Sequence, residues 1–174
     1  IGGSVAHADP AGDWPAAVIA LDAEIRVFGP AGERWVKCDE FFLGLLMSVL
    51  EADEIVTGVK VPVTGNDKTA YQKAAPRSSG FAVTGVAVRL AVDGAGTCTR
   101  AAIGITGVGD KAYRPERTEQ MLTGKKLDAK LIEDAAAEST RNIEVIEDIN
   151  GSSEYRAHLT HVYVARAIHE ALSR

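Results

Sequence analysis

The chain has 174 residues, 46% of them hydrophobic and 25% charged, with a formal net charge of −5. These values fit one or two soluble globular domains and exclude a disordered tail, a collagen-like rod and, since no apolar run is long enough, a membrane-spanning helix. The acidic balance also argues against a general nucleic-acid binder, because a phosphate backbone would be repelled rather than attracted.

The chain opens IGGSVAHADPAGDWP. Gly2 and Gly3 predict a tight turn reaching positive φ, followed by a loop punctuated by Asp9, Pro10, Asp13 and Pro15. With no Cβ in the way, main-chain N–H groups there can approach a phosphate or a sugar; an ordinary structural turn is the alternative. Asp13 stands where a helix N-cap belongs, Trp14 and Pro15 fit the first helical positions, and a helix is expected over about residues 14–22. Strands at 24–28 and 33–38 follow, joined by a Gly-Pro-Ala-Gly turn, and then Phe41 and Phe42 as core anchors. Residues 53–63 alternate from Ile55 to Val61 and stop at Pro62, predicting a strand with one buried face. The polar cluster TGNDK after it marks a boundary, giving expected domains 1–63 and 69–174.

The second part begins with a strand and a proline-interrupted bend, then a long apolar strand over 82–92. A turn at Gly94–Gly96 leads into a second long strand, so an antiparallel sheet of at least three strands is expected. The remainder reads as helical. ERTEQMLTG stops at Gly124, and DAKLIEDAAAESTRNI has Asp128 as N-cap with Leu131, Ile132, Ala135, Ala136 and Ile143 on one face. The last helix, from Ser153, places Tyr155, Leu159, Val162, Tyr163 and Ala167 at helical spacing. Helices gathered to one face of an antiparallel sheet make an α+β domain.

Cys38 and Cys98 are far apart and lack a CxxC neighbour, so neither a zinc nor an iron–sulfur site is carried here. His158 and His161 have i, i+3 spacing, yet no third ligand type completes a metal set. No Ser/His/Asp or paired-carboxylate constellation is present, which leaves the catalytic and metal-ligand sets empty. Two reduced thiols and the lack of a signal-peptide pattern fit a cytoplasmic location, and a first residue of Ile rather than Met fits a fragment or a cleaved chain.

The opening string as a whole resembles the second flavin-binding motif of the FAD-binding, medium-sized subunits of molybdenum hydroxylases, the xanthine dehydrogenase and carbon monoxide dehydrogenase family. That pattern is approximately T-I-G-G-x-x-x-x-x-D-P-x-x-D-x-P, met at every position from Ile1 onward. Further marks occur in the family's order: Tyr71 and Lys73 as Y-x-K, the SSGFAV step, Arg114-Pro115-x-Arg117, the L-x-G-K-x-L-D of 122–128, and Tyr155-Arg156-x-His158-Leu159 with Arg166. The implied fold is α+β. It comprises the C-terminal lobe of a vanillyl-alcohol-oxidase (PCMH) type FAD-binding domain, with the N-terminal lobe missing, then a domain with a three-stranded antiparallel sheet and helices on one face.

The resemblance also implies roles. Main chain at Ile1, Gly2, Gly3 and Ser4 would meet the FAD pyrophosphate or ribityl region, and Asp13 a cofactor hydroxyl, with His7 and Asp9 as polar contacts. The backbone at Val56 would border the adenine end. Lys73 would stabilise negative charge on the reduced ring, and Phe81 would pack on the isoalloxazine. Ser79 and Gly80 stand where some relatives carry an acidic residue, so NAD is not implied as acceptor. The implied partners are a large molybdopterin subunit, which oxidises the substrate, and a small subunit with two [2Fe-2S] clusters, in a dimer of heterotrimers. A non-catalytic assembly domain and a stand-alone vanillyl-alcohol-oxidase type flavin oxidoreductase are the alternatives.

Overall fold

A computed structural model describes residues 1–174. Its first part runs α1 (Gly2–His7), α2 (Asp13–Ala20), β1 (Glu24–Gly29), β2 (Gly32–Lys37), α3 (Cys38–Phe41), β3 (Phe42–Gly44), β4 (Met47–Ser48) and β5 (Ile55–Lys60). An antiparallel sheet of order β2-β1-β5 turns Ile25 and Val27 inward, where they meet Val5, Ile19, Phe41 and Phe42. The two phenylalanine rings pack edge to face with centroids 5.3 Å apart, as core anchors. The alternation expected of β5 is broken. A register shift opposite Arg26 and Val27 puts Val56 and Val59 against the core and leaves Ile55 and Val61 exposed.

The second part runs β6 (Lys68–Ala74), β7 (Thr84–Val92), β8 (Thr97–Thr106), α4 (Glu116–Leu122), β9 (Lys125–Lys126), α5 (Ala129–Ala137) and α6 (Ser153–Ser173). The antiparallel sheet has order β6-β7-β8-β9, so a two-residue edge strand joins the three expected. One face carries Val86, Val88, Leu90, Ile103 and Ile105 into the main core under α4, α5 and α6. Asp128 caps α5 as expected, accepting from the Leu131 N–H at 2.8 Å. That helix ends at Ala137, so Ile143 reaches the core from the following turn rather than from the helix face.

The buried stripe of α6 is rotated from the expected one. Arg156, Thr160, Val164, Ala167, Ile168 and Ala171 face inward, while Tyr155 is exposed and Leu159 only half-buried. The cause is Arg156, whose guanidinium is drawn inside by two main-chain carbonyls, those of Val83 (2.9 Å) and Gly107 (2.7 Å), and by the Asp148 carboxylate. A charged residue thus occupies a stripe that a hydrophobic pattern assigns to its apolar neighbours.

The opposite face of the large sheet is covered by α2, a helix of the first part. Ala16 and Ala20 lie on Ala87, and Gly104 lets the helix backbone settle against β8. A Cβ at Gly104 would fall inside the van der Waals radius of the Ala16 carbonyl oxygen, so only glycine permits the approach. With both faces covered, β7 is buried along most of its length.

Candidate flavin site

Gly2 and Gly3 form the first turn of α1 rather than a tight turn, and neither has positive φ. Val5 supplies the reason: it anchors a helical turn in the core and is fully buried, and Ala8 closes the helix in the left-handed region at φ 54°. The first helical bond runs from the Val5 N–H to the Ile1 carbonyl at 3.1 Å, so the N–H groups of Gly2, Gly3 and Ser4 have no acceptor within the helix. Ile1 offers no side-chain cap. A Cβ at Gly3 would meet nothing within 4 Å, and one at Gly2 only the Val56 methyl at 4.0 Å. Neither crowding nor φ therefore demands glycine at these positions. Open space above bare N–H donors is what a close-packed diphosphate requires.

The following loop is tied down from behind. The Asp9 carboxylate accepts from the Ala11 N–H at 2.8 Å, closing an Asx turn. The Pro10 carbonyl accepts from the Gly107 N–H at 2.5 Å, the Ala11 carbonyl from the Ala82 N–H at 3.0 Å, and the Gly12 carbonyl from the Thr106 hydroxyl at 2.9 Å. Arg156 in turn fixes the carbonyls of Val83 and Gly107 beside those donors.

Asp13 is the first residue of α2 and Gly12 its N-cap, so Asp13 does not cap the helix as expected. Its carboxylate is engaged elsewhere. One oxygen accepts from the Tyr71 hydroxyl at 2.5 Å and the other from the Lys73 ammonium at 2.8 Å. Tyr71 and Lys73 are two apart on β6, which puts both on the sheet face that α2 covers. Lys73 also donates to the Gly80 carbonyl at 2.8 Å, tying in the turn that displays Phe81 at 55% exposure. Burial, reinforced by the hydrogen bond to Asp13 and its charge, pushes the Tyr71 phenol well above its usual range.

The structure thus makes two patches joined by the loop of residues 8–12. Ile1, Gly2, Gly3, Ser4 and Val56 form one; Asp13, Lys73 and Phe81 form the other, together with Tyr71. His7 is exposed at the end of α1 and Asp9 is engaged in its own turn. Sequence reasoning named Tyr71 and Arg156 as family marks but gave them no role, and it missed Thr106. The i, i+2 spacing on a strand is the signal that pairs Tyr71 with Lys73; nothing local betrays the other two.

A second charged group stands at the far end of α2. Arg89, Arg100 and Arg114 all donate to the Asp22 carboxylate, and Arg89 donates also to the Leu21 carbonyl at 3.1 Å. Arg100 and Arg114 border an open hollow of about 490 Å³ that is also lined by Lys37 and Lys60. Three of its cations are already paired, Lys60 with Glu24 and Arg100 and Arg114 with Asp22.

Two adjoining halves of the chain each match a known protein family. Residues 1–64 match the FAD binding domain in molybdopterin dehydrogenase, and residues 69–171 the CO dehydrogenase flavoprotein C-terminal domain. The chain belongs to the FAD-binding medium-subunit family of the molybdenum hydroxylases.

Among particular relatives, it is 36% identical to the nicotine 6-hydroxylase medium subunit of Paenarthrobacter nicotinovorans, with 100% of this chain and 61% of that protein covered. Its identity to the glyceraldehyde dehydrogenase medium chain of Sulfolobus acidocaldarius is 34%, over 98% of this chain and 60% of the relative. A carbon monoxide dehydrogenase structure from Hydrogenophaga pseudoflava, lacking the Mo-pyranopterin moiety of its cofactor, superposes with a TM-score of 0.92 at 34% identity, covering 98% of this chain and 60% of that one. The chain therefore spans about 60% of the length of the relatives it matches.

Proposed function

We propose that this chain binds FAD and acts as the electron-transfer subunit of a molybdenum hydroxylase, taking electrons from [2Fe-2S] clusters of a small subunit and releasing them to an external acceptor. The observation that carries the reading is the grouping of Asp13, Lys73 and Phe81 beside unobstructed, unpaired main-chain donors. Residues present fit the group. N–H groups of Gly2, Gly3 and Ser4 would donate to diphosphate oxygens, with Ile1 setting their turn, and Val56 would border the adenine. Asp13 retains acceptor capacity beyond its two present bonds for a ribityl hydroxyl, since an ionised carboxylate has about four acceptor sites. Phe81 offers an exposed ring face for the isoalloxazine, and His7 an exposed polar edge.

Bound FAD would supply the redox centre, and the side chains here would position it and tune its surroundings rather than act as acids or bases. Substrate oxidation would take place at molybdopterin in a large subunit. The hairpin turn between β3 and β4 suits such an assembly: Leu45 and Leu46 are both more than half exposed, Leu46 at φ 53°, an apolar tip that gains by burial against a partner subunit. No helix is long and apolar enough to cross a membrane; the same reading puts the assembly in the cytoplasm as a dimer of heterotrimers.

Purification of the native protein tests the reading. Flavin absorbance near one FAD per chain, with molybdenum and iron co-purifying, is the expected result. A native complex without flavin would leave an assembly domain instead, and turnover by the flavoprotein alone, free of both metals, would leave a stand-alone oxidoreductase.

A further inference from the structure

Tyr71 lies outside the flavin motif, yet its hydroxyl donates to Asp13 Oδ1 at 2.5 Å while Lys73 Nζ donates to Oδ2 at 2.8 Å. Gly85, opposite Lys73 and diagonal to Tyr71 on β7, leaves the hydroxyl its seat: a Cβ there would stand 2.6 Å from the Tyr71 oxygen. The bonded trio spans the joint between α2 and the large sheet and reaches the Phe81 turn through the Lys73 bond to Gly80. We infer that Tyr71 is a positioning residue of the flavin site, which fixes the Asp13 carboxylate from one side so that Asp13 and Lys73 present a balanced, oriented pair rather than two independent charges. The inference rests on the flavin reading above.

The consequence is a division of charge. Lys73 faces the cofactor with its ammonium already matched by Asp13, and Tyr71 draws part of that carboxylate's charge away from the lysine. Removing the phenol hydroxyl leaves more negative charge on the pair; removing the carboxylate charge leaves a bare ammonium. The sign of each effect on a nearby redox centre is independent of distance, since only its magnitude falls with separation.

Tyr71→Phe and Asp13→Asn, made in the complete protein as isolated, test this by FAD affinity and by the midpoint potential of the bound flavin. Tyr71→Phe retains the ring, so the melting temperature is expected to stay within about 2 °C while FAD binds about tenfold more weakly, because Asp13 is then oriented only on binding rather than beforehand. The midpoint potential is expected to fall in Tyr71→Phe and to rise in Asp13→Asn. In the flavin-free protein, absorbance titration of the tyrosines should find two phenols that resist ionisation in the wild type, those of Tyr71 and Tyr113, of which only one yields at lower pH in Asp13→Asn. Unchanged affinity and potential in Tyr71→Phe, or shifts of the same sign in both variants, would overturn the inference while leaving the flavin reading intact. A wild-type protein that binds no FAD would overturn both.

Discussion

The two ends of α2 use the same chemistry for opposite purposes. At its start, Asp13 is held by Tyr71 and Lys73, and the carboxylate side chain remains 44% exposed. Just beyond its end, Asp22 is held by Arg89, Arg100 and Arg114, and the Arg89 side chain is 1% exposed. An aspartate among cations is therefore not in itself a sign of function. What separates the two is unused capacity: Asp13 keeps acceptor sites open to a ligand, whereas Asp22 spends its oxygens on three guanidinium groups that close the joint between the two parts of the chain.

The contrast can be broken most forcefully at the closed end. Asp22→Asn keeps a residue that tolerates the φ of 49° there but strips the buried Arg89 of its nearest charge partner; Asp67 at 3.7 Å is more distant. Chemical denaturation should report a loss of about 3–5 kcal/mol, the usual cost of leaving a buried guanidinium unmatched. Gly104→Ala attacks the middle of the same joint by pushing a Cβ into the Ala16 carbonyl, and about 2–3 kcal/mol should be lost in urea titration without any change at the polar ends. At the open end the order of effects reverses. Asp13→Ala removes a partly exposed pair, so stability should change by less than about 1 kcal/mol while FAD occupancy drops after gel filtration.

The smallest effect concerns Cys38, next to the Asp22 hollow. Burial, with the Asp39 charge second, raises its thiol to about 11. A raised folded-state value means that the contribution is fully present below the unfolded thiol range near pH 8.5 and is lost as pH rises toward 11. Urea midpoints should therefore be level up to about pH 8 and decline above it, less so in Cys38→Ala. A thiol reagent at pH 8 should leave Cys38 untouched until denaturant is added.

Much of this architecture was legible because its signals are local. Alternation and turn residues mark β1, β2, β7 and β8, the Asp128 cap opens α5, and the near-continuous apolar run of β7 already hints that both of its faces are covered. The unread features are those where one distant contact overrides the local pattern. Arg156 rotates the buried stripe of α6, Val5 turns a Gly-Gly pair into a helix, and a bulge flips the faces of β5. The Asp22 group joins residues 22, 89, 100 and 114, and no sequence spacing announces such a meeting. Within the candidate flavin site, Asp13, Lys73 and Phe81 were named from the family resemblance, but their linkage through Tyr71 and Gly80 exists only in three dimensions.

The cover that α2 provides has a bearing on how the chain can be divided. The connector at residues 64–67 looks like a natural place to cut, yet a piece beginning at residue 68 would bare the sheet surface of Ala87, Arg89, Ala102 and Gly104 to water. Stripped of its lid, that surface offers small side chains and an orphaned guanidinium, a poor shell for an independent molecule. Co-expression with the severed opening segment should restore solubility, so the two stretches are better regarded as one cooperative body than as beads on a string.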